Sequence, residues 1–212
     1  MSQLPPGYVR YAEAYPPGLR YLYQPAPLPR RRTGLNVALA ILVTLAVGAG
    51  LGYFYARPFL VEFPATLTMP ESVAGMPRLT DARFQEISDA MTGFLRDRAG
   101  ADSSIAAFYA PVGSPARAVL VSAGTGFVLH PAGALDDGLA GFAKGSGLTV
   151  TDVTSTGPGV LGGVARCGQT QVLAVCAWAD HGSVGAVVGF SRTIPETADL
   201  LRTVRPLVLH RH

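Results

Sequence analysis

The residues best equipped for chemistry lie close together late in the chain, at Asp180-His181-Gly182-Ser183. An acid, an imidazole and a hydroxyl are the parts of a hydrolase triad. A triad needs its nucleophile beside its base, with the third group orienting the base. Residues of a single turn do not converge that way, and no G-x-S-x-G elbow occurs in the chain. Asp180 and Ser183 therefore read as turn formers. His130, His210 and His212 lack zinc-ligand spacing. Asp136 and Asp137 are adjacent, which suits a solvated helix surface better than an acid/base pair. The run Gly157-Pro158-Gly159-Val160-Leu161-Gly162 matches G-x-G-x-x-G in letters only. A dinucleotide site needs that pattern to open a helix. Here the continuation Gly163-Val164-Ala165-Arg166-Cys167 reads as a strand, and Pro158 removes one amide. No catalytic residue, metal or cofactor is expected.

Cys167 and Cys176 are the two cysteines of the chain. An even count outside the cytoplasm fits one disulfide. A turn at Gly168-Gln169-Thr170 would instead set Cys167 opposite residue 171 and leave Cys176 several rungs away, beyond the ~7 Å reach of a bridge. Two buried free thiols are the alternative.

These residues must be positioned by something, and the stretch that organises the chain is Gly34 to Tyr55, which carries no charge. Roughly 20 apolar residues at 1.5 Å each cross a ~30 Å hydrocarbon core, and only a helix satisfies its backbone in lipid. A transmembrane helix over 34–56 follows. Arg57-Pro58 is expected to end it. Its apolar core is longer than that of a cleaved signal peptide, although Gly48-Ala49-Gly50 offers small residues at a cleavage position. Gly48 and Gly52 form a GxxxG pair, which makes them candidates for self-association of the helix. Tyr53, Phe54 and Tyr55 suit an interfacial aromatic belt.

Charge sets the topology. Arg10, Arg20, Arg30, Arg31 and Arg32 stand against Glu13 before the helix, whereas 11 basic and 13 acidic residues follow from Pro58 onward. Arg-rich short segments stay in the cytoplasm, so the N-terminus is expected inside and the C-terminal domain outside. The basic balance belongs to the tail, so nucleic acid is not an expected partner. Residues 1–33 are rich in Pro and Tyr and read as a disordered cytoplasmic tail, with polyproline docking or tyrosine phosphorylation as sharper readings. Residues 57–78, with Pro64, Pro70 and Pro77, read as an extended stalk.

The remaining residues, 79–212, read as one extracytoplasmic domain. A helix over Thr80–Arg98 places Phe84, Ile87, Met91, Phe94 and Leu95 on one apolar face. Strands are expected at 105–109, 118–122, 148–154, 160–167, 171–179 and 184–190, with Gly124-Thr125-Gly126 as a loop and a second helix at 131–142. Thr193-x-x-Glu196 with Pro195 starts a final helix, whose buried stripe is Leu200, Leu201, Val204 and Leu207. Arg211 is expected in a flexible end. The fold class is α+β, an antiparallel sheet covered by helices on one face. Trp178 alternates with Cys176 on a strand apolar on both faces, so it is expected in the core.

The segments Gly162-Gly163-Val164-Ala165-Arg166-Cys167-Gly168 and Val175-Cys176-Ala177-Trp178-Ala179-Asp180 resemble a set of uncharacterised single-pass membrane proteins of actinobacteria. These share a Pro/Tyr-rich cytoplasmic tail, one membrane helix, a GG-x-x-x-C strand, a C-x-W-A-D strand, and a terminal helix with an Arg near its end, here Arg205. The resemblance implies an envelope location and paired cysteines, and no activity. Together these readings point to a membrane-anchored binding, sensing or assembly module of the cell envelope. It would bind an envelope protein or cell-wall ligand, and could form a homodimer through the transmembrane helix. The alternative is an envelope enzyme of hydrolase type.

Overall fold

The computed structural model describes residues 33–211. The Pro/Tyr-rich tail, the Arg30-Arg31-Arg32 cluster and His212 lie outside them. The fold is α+β: an apolar N-terminal helix precedes a six-stranded antiparallel sheet with helices packed against it.

Helix α1 spans Thr33–Glu62, and its side chains from Gly34 to Pro58 are all exposed. It does not end at Arg57-Pro58, as expected, because Pro58 lies inside it. An interior proline weakens a helix by removing a donor. Here the next turn is held by contacts with the domain: Phe59 stacks on Phe127, and Glu62 accepts a hydrogen bond from the His181 amide. Tertiary contact overrides the local stop signal.

The expected stalk is also structured. Strand β1 (Ala65–Leu67) pairs with the final strand β10 (Leu209–Arg211). Strands β2 (Ser72–Val73) and β3 (Met76–Pro77) form a hairpin through Ala74 and Gly75, both at positive φ. Two successive positive-φ residues are the signature of a tight primed turn. Val73 and Met76 are buried in the main core, so residues 63–78 belong to the domain.

The sheet comprises β4 (Ser103–Tyr109), β5 (Val119–Thr125), β6 (Thr151–Thr156), β7 (Val164–Gln169), β8 (Leu173–Ala179) and β9 (Ser183–Phe190). Their spatial order is β4-β5-β9-β8-β7-β6. Gly124 and Thr125 continue β5 rather than forming a loop, because Ser103 and Ser104 extend β4 to pair with them. Helices cover both faces, not one. On one face lie α2 (Ala82–Ala99) and α3 (Pro131–Ser146). On the other lie α4 (Ile194–Val208) and the β1–β3 segment. The reason is the central strand β8, whose residues Ala174–Ala179 are buried throughout. A strand with no polar face needs a layer on each side.

The α2 stripe is narrower than its spacing suggests. Phe84 and Met91 pack on the sheet, while Ile87 and Phe94 stay exposed. Gly100 in the left-handed region ends the helix as expected. In α4 the buried face is Thr197, Leu201, Val204 and Val208, one position off from Leu207, which is exposed.

Candidate functional site

Strands β8 and β9 are joined by a two-residue turn, His181-Gly182, closed by Asp180 N donating to Ser183 O at 2.9 Å. The turn gathers charge beneath it. Asp180 is 0% exposed. Its Oδ1 accepts from Gly182 N at 2.8 Å, and its Oδ2 accepts from Ser183 Oγ at 2.8 Å. Two arginines complete its surroundings: Arg205 Nη2 donates to Oδ2 at 2.5 Å and Arg211 Nη2 at 2.8 Å. Arg205 comes from the last turn of α4 and Arg211 from β10, so the expected flexible end is a strand that delivers a guanidinium to the core.

Arg205 is 1% exposed. Burial pulls its guanidinium below the usual arginine range, opposed by the Asp180 charge and hydrogen bond. Its Nη1 donates to Pro158 O at 2.8 Å and Gly162 O at 2.6 Å. This explains the glycine run. The Gly157–Gly163 loop turns carbonyls onto a cation of the chain itself. Gly163, at φ +79°, reverses the chain against Ala179, where a Cβ would overlap the Ala179 carbonyl.

Trp178 forms the floor. It is fully buried, as its strand position predicted, and Arg205 Cζ lies 5.8 Å from its ring centre. A buried cation over an indole face gains from the ring quadrupole. The indole Nε1 donates to Ser183 Oγ at 3.4 Å. Gly185 stands opposite Trp178 in β9, and any Cβ there would collide with the indole.

The turn is also where α1 arrives. Glu62 Oε2 accepts from His181 N at 2.8 Å, and the His181 ring lies 3.8 Å from Phe59. A Cβ on Gly182 would overlap the Glu62 carbonyl. The His181 Nδ1 is engaged with Val128 O at 2.9 Å, not with Ser183. Asp180, His181 and Ser183 are therefore adjacent without forming a proton relay. The acid serves two arginines, and the imidazole faces a different loop.

Cys167 and Cys176 are directly opposed in β7 and β8 and form a disulfide, with Cα atoms 4.0 Å apart. The expected geometric obstacle came from a misplaced turn. The chain reverses at Gln171-Val172, where Thr170 N donates to Leu173 O, so the two cysteines share a rung at disulfide distance. Gly48 and Gly52 lie on α1 with open space above each Cα. Asp136 pairs with Arg166 at the surface. His210 meets Thr68 Oγ1 at 2.8 Å on the β1–β10 ribbon.

Among the described residues, no group of three His, Cys, Asp or Glu side chains could hold a metal ion. A cleft of about 260 Å³ beside α2 is lined in part by Arg78, Gln85, Ser88 and Asp89. That is below the ~300–1,000 Å³ typical of small-molecule pockets. The Asp180–Arg205–Arg211 cluster was not legible from motifs, since its members are 25 and 31 residues from the acid. The signal that could have marked it is an Arg inside an otherwise apolar α4 stripe. No family model, curated protein or solved structure matches this chain.

Proposed function

We propose that this protein is a non-enzymatic, membrane-anchored module of the cell envelope that displays its α+β domain outside the membrane for binding, sensing or assembly. The observation that carries this reading is α1. Among the described residues it is the one helix long and apolar enough to cross a membrane. Its last turn is bound into the domain through Glu62 and Phe59.

The orientation is supported by Arg30-Arg31-Arg32 on the N-terminal side of the apolar run, which favours a cytoplasmic tail. The Cys167–Cys176 disulfide suits an oxidising outer compartment. The GxxxG spacing of Gly48 and Gly52 supports a homodimer through α1. The full commitment of Asp180 to two arginines supports a structural role for this buried charged cluster. The partner in this reading is an envelope protein or a cell-wall ligand.

Protease added to intact spheroplasts tests the arrangement. The domain should be digested while the Tyr8–Tyr23 segment survives. Survival of the domain with loss of the tail would reverse the orientation and remove the envelope reading.

A further inference from the structure

Phe127 and Leu129 are 60% and 56% exposed in the connection from β5 to α3. The loop that carries them is fixed by its backbone. Gly126 N donates to Gly182 O at 3.1 Å, and Val128 N donates to His181 O at 3.0 Å. Two large apolar side chains are thus held in solvent on a pinned loop.

Their place relative to α1 gives them a partner. The Phe127 ring stacks on Phe59 at 5.8 Å and meets the edge-on ring of Phe63 at 6.1 Å. Phe59 is four residues beyond Tyr55 and two beyond Arg57, which is ~6 Å and ~3 Å along a helix axis. The headgroup layers add roughly 5–8 Å on each side of the hydrocarbon core. A helix that crosses the membrane up to its Tyr53–Tyr55 belt therefore carries Phe59, and Phe127 stacked on it, at headgroup depth. Leu60 and Val61 in the same turn are also exposed.

We propose that Phe127 and Leu129, with Leu60 and Val61, form a second lipid contact that seats the membrane-proximal end of the domain in the headgroup layer of the bilayer that α1 crosses. This rests on the membrane reading above and deepens it. The occupant is lipid because Phe127 packs directly on Phe59 and Phe63 at the end of the anchor, and Leu129 lies two residues further along the same loop. Aromatic and aliphatic side chains are favoured at that depth. Because the Gly126–Val128 backbone is already pinned, little chain entropy is lost on insertion.

The test uses the full chain in phospholipid vesicles, with Phe127→Trp and Leu129→Trp as separate reporters. Val172→Trp is the control, because Val172 is equally exposed (61%) but sits in the β7–β8 turn at the opposite end of the sheet. Lipid brominated near the headgroup should quench the added indole of F127W and L129W and shift little in V172W. Acrylamide should quench V172W most. A far-UV circular dichroism spectrum and melt like those of the wild type report that each variant folds, and either loop reporter suffices. Alkaline carbonate extraction separates the two ideas. Release of the chain by carbonate would overturn the membrane reading and this inference with it. Retention, with F127W and L129W no more quenched by bromolipid than V172W, would overturn the lipid contact alone.

Discussion

Asp180 takes four hydrogen bonds on its two oxygens, three of them on Oδ2. It is the counter-charge for two guanidiniums, and Arg205 has no access to water. Removing one member of a buried ion cluster costs more than the cluster contributes, because the remaining charges stay buried. We expect Asp180→Asn to lower domain stability by ~3–5 kcal/mol, a large part of the ~5–15 kcal/mol typical of a domain. Urea unfolding of wild type and variant reads this directly. An unchanged midpoint would mean that the arginines find other partners and that Asp180 is not their counter-charge. At this scale the sequence was half legible. Trp178 could be placed in the core because alternation on an all-apolar strand leaves it nowhere else. The acid next to it looked like a turn former, which it is. Its second role depends on α4 and β10 folding back, and no local pattern encodes that.

Among the elements, α4 has the clearest local start. Glu196 accepts from the Thr193 amide at 2.8 Å, and Thr193 Oγ1 accepts from Glu196 N at 3.4 Å, the reciprocal pair of a capping box. The Thr193 backbone hydrogen bond, then the Arg117 and Thr193 side chains, hold the Glu196 carboxyl down to about 2. An unfolded glutamate titrates at ~4.3. A depressed folded value means that the cap contributes fully above the unfolded value and is lost as pH falls toward the folded one. The Tm difference between wild type and Glu196→Gln should thus be constant at neutral pH and shrink between about pH 5 and about 2. A difference independent of pH over that range would show that the charge of Glu196 does not act in the cap. The six strands of the main sheet were legible in number and direction for the same reason α4 was, since their signals are local, whereas β1, β2, β3 and β10 were not. Turn positions were less so. The Gly168-Gln169-Thr170 run looked like the reversal, yet the strand continues through Gln169 and the chain turns at Gln171-Val172, which moves the cysteines onto one rung. The short β2–β3 hairpin was missed because Ala74 at positive φ has no sequence signature.

The whole molecule depends on where its folded domain begins. Proline spacing suggested a stalk through residue 78 and a domain from 79. The structure starts the domain earlier, since β1 pairs with β10, and Val73 and Met76 fill the core beside Leu201 and Val204. Burying one such side chain is worth ~1.5–3 kcal/mol, so Val73 and Met76 together contribute on the order of 4 kcal/mol before the β1–β10 ribbon is counted. Losing the ribbon also frees the segment that brings Arg211 to Asp180. A fragment of residues 79–212 should therefore be poorly soluble or show a broad, low-temperature melt. A fragment of residues 57–212 retains Phe59, Glu62 and all ten strands, and should unfold cooperatively at a higher temperature. Circular dichroism melts of the two fragments decide it. Equal melting temperatures would mean that residues 57–78 lie on the domain without supporting it, and the boundary would return to residue 79.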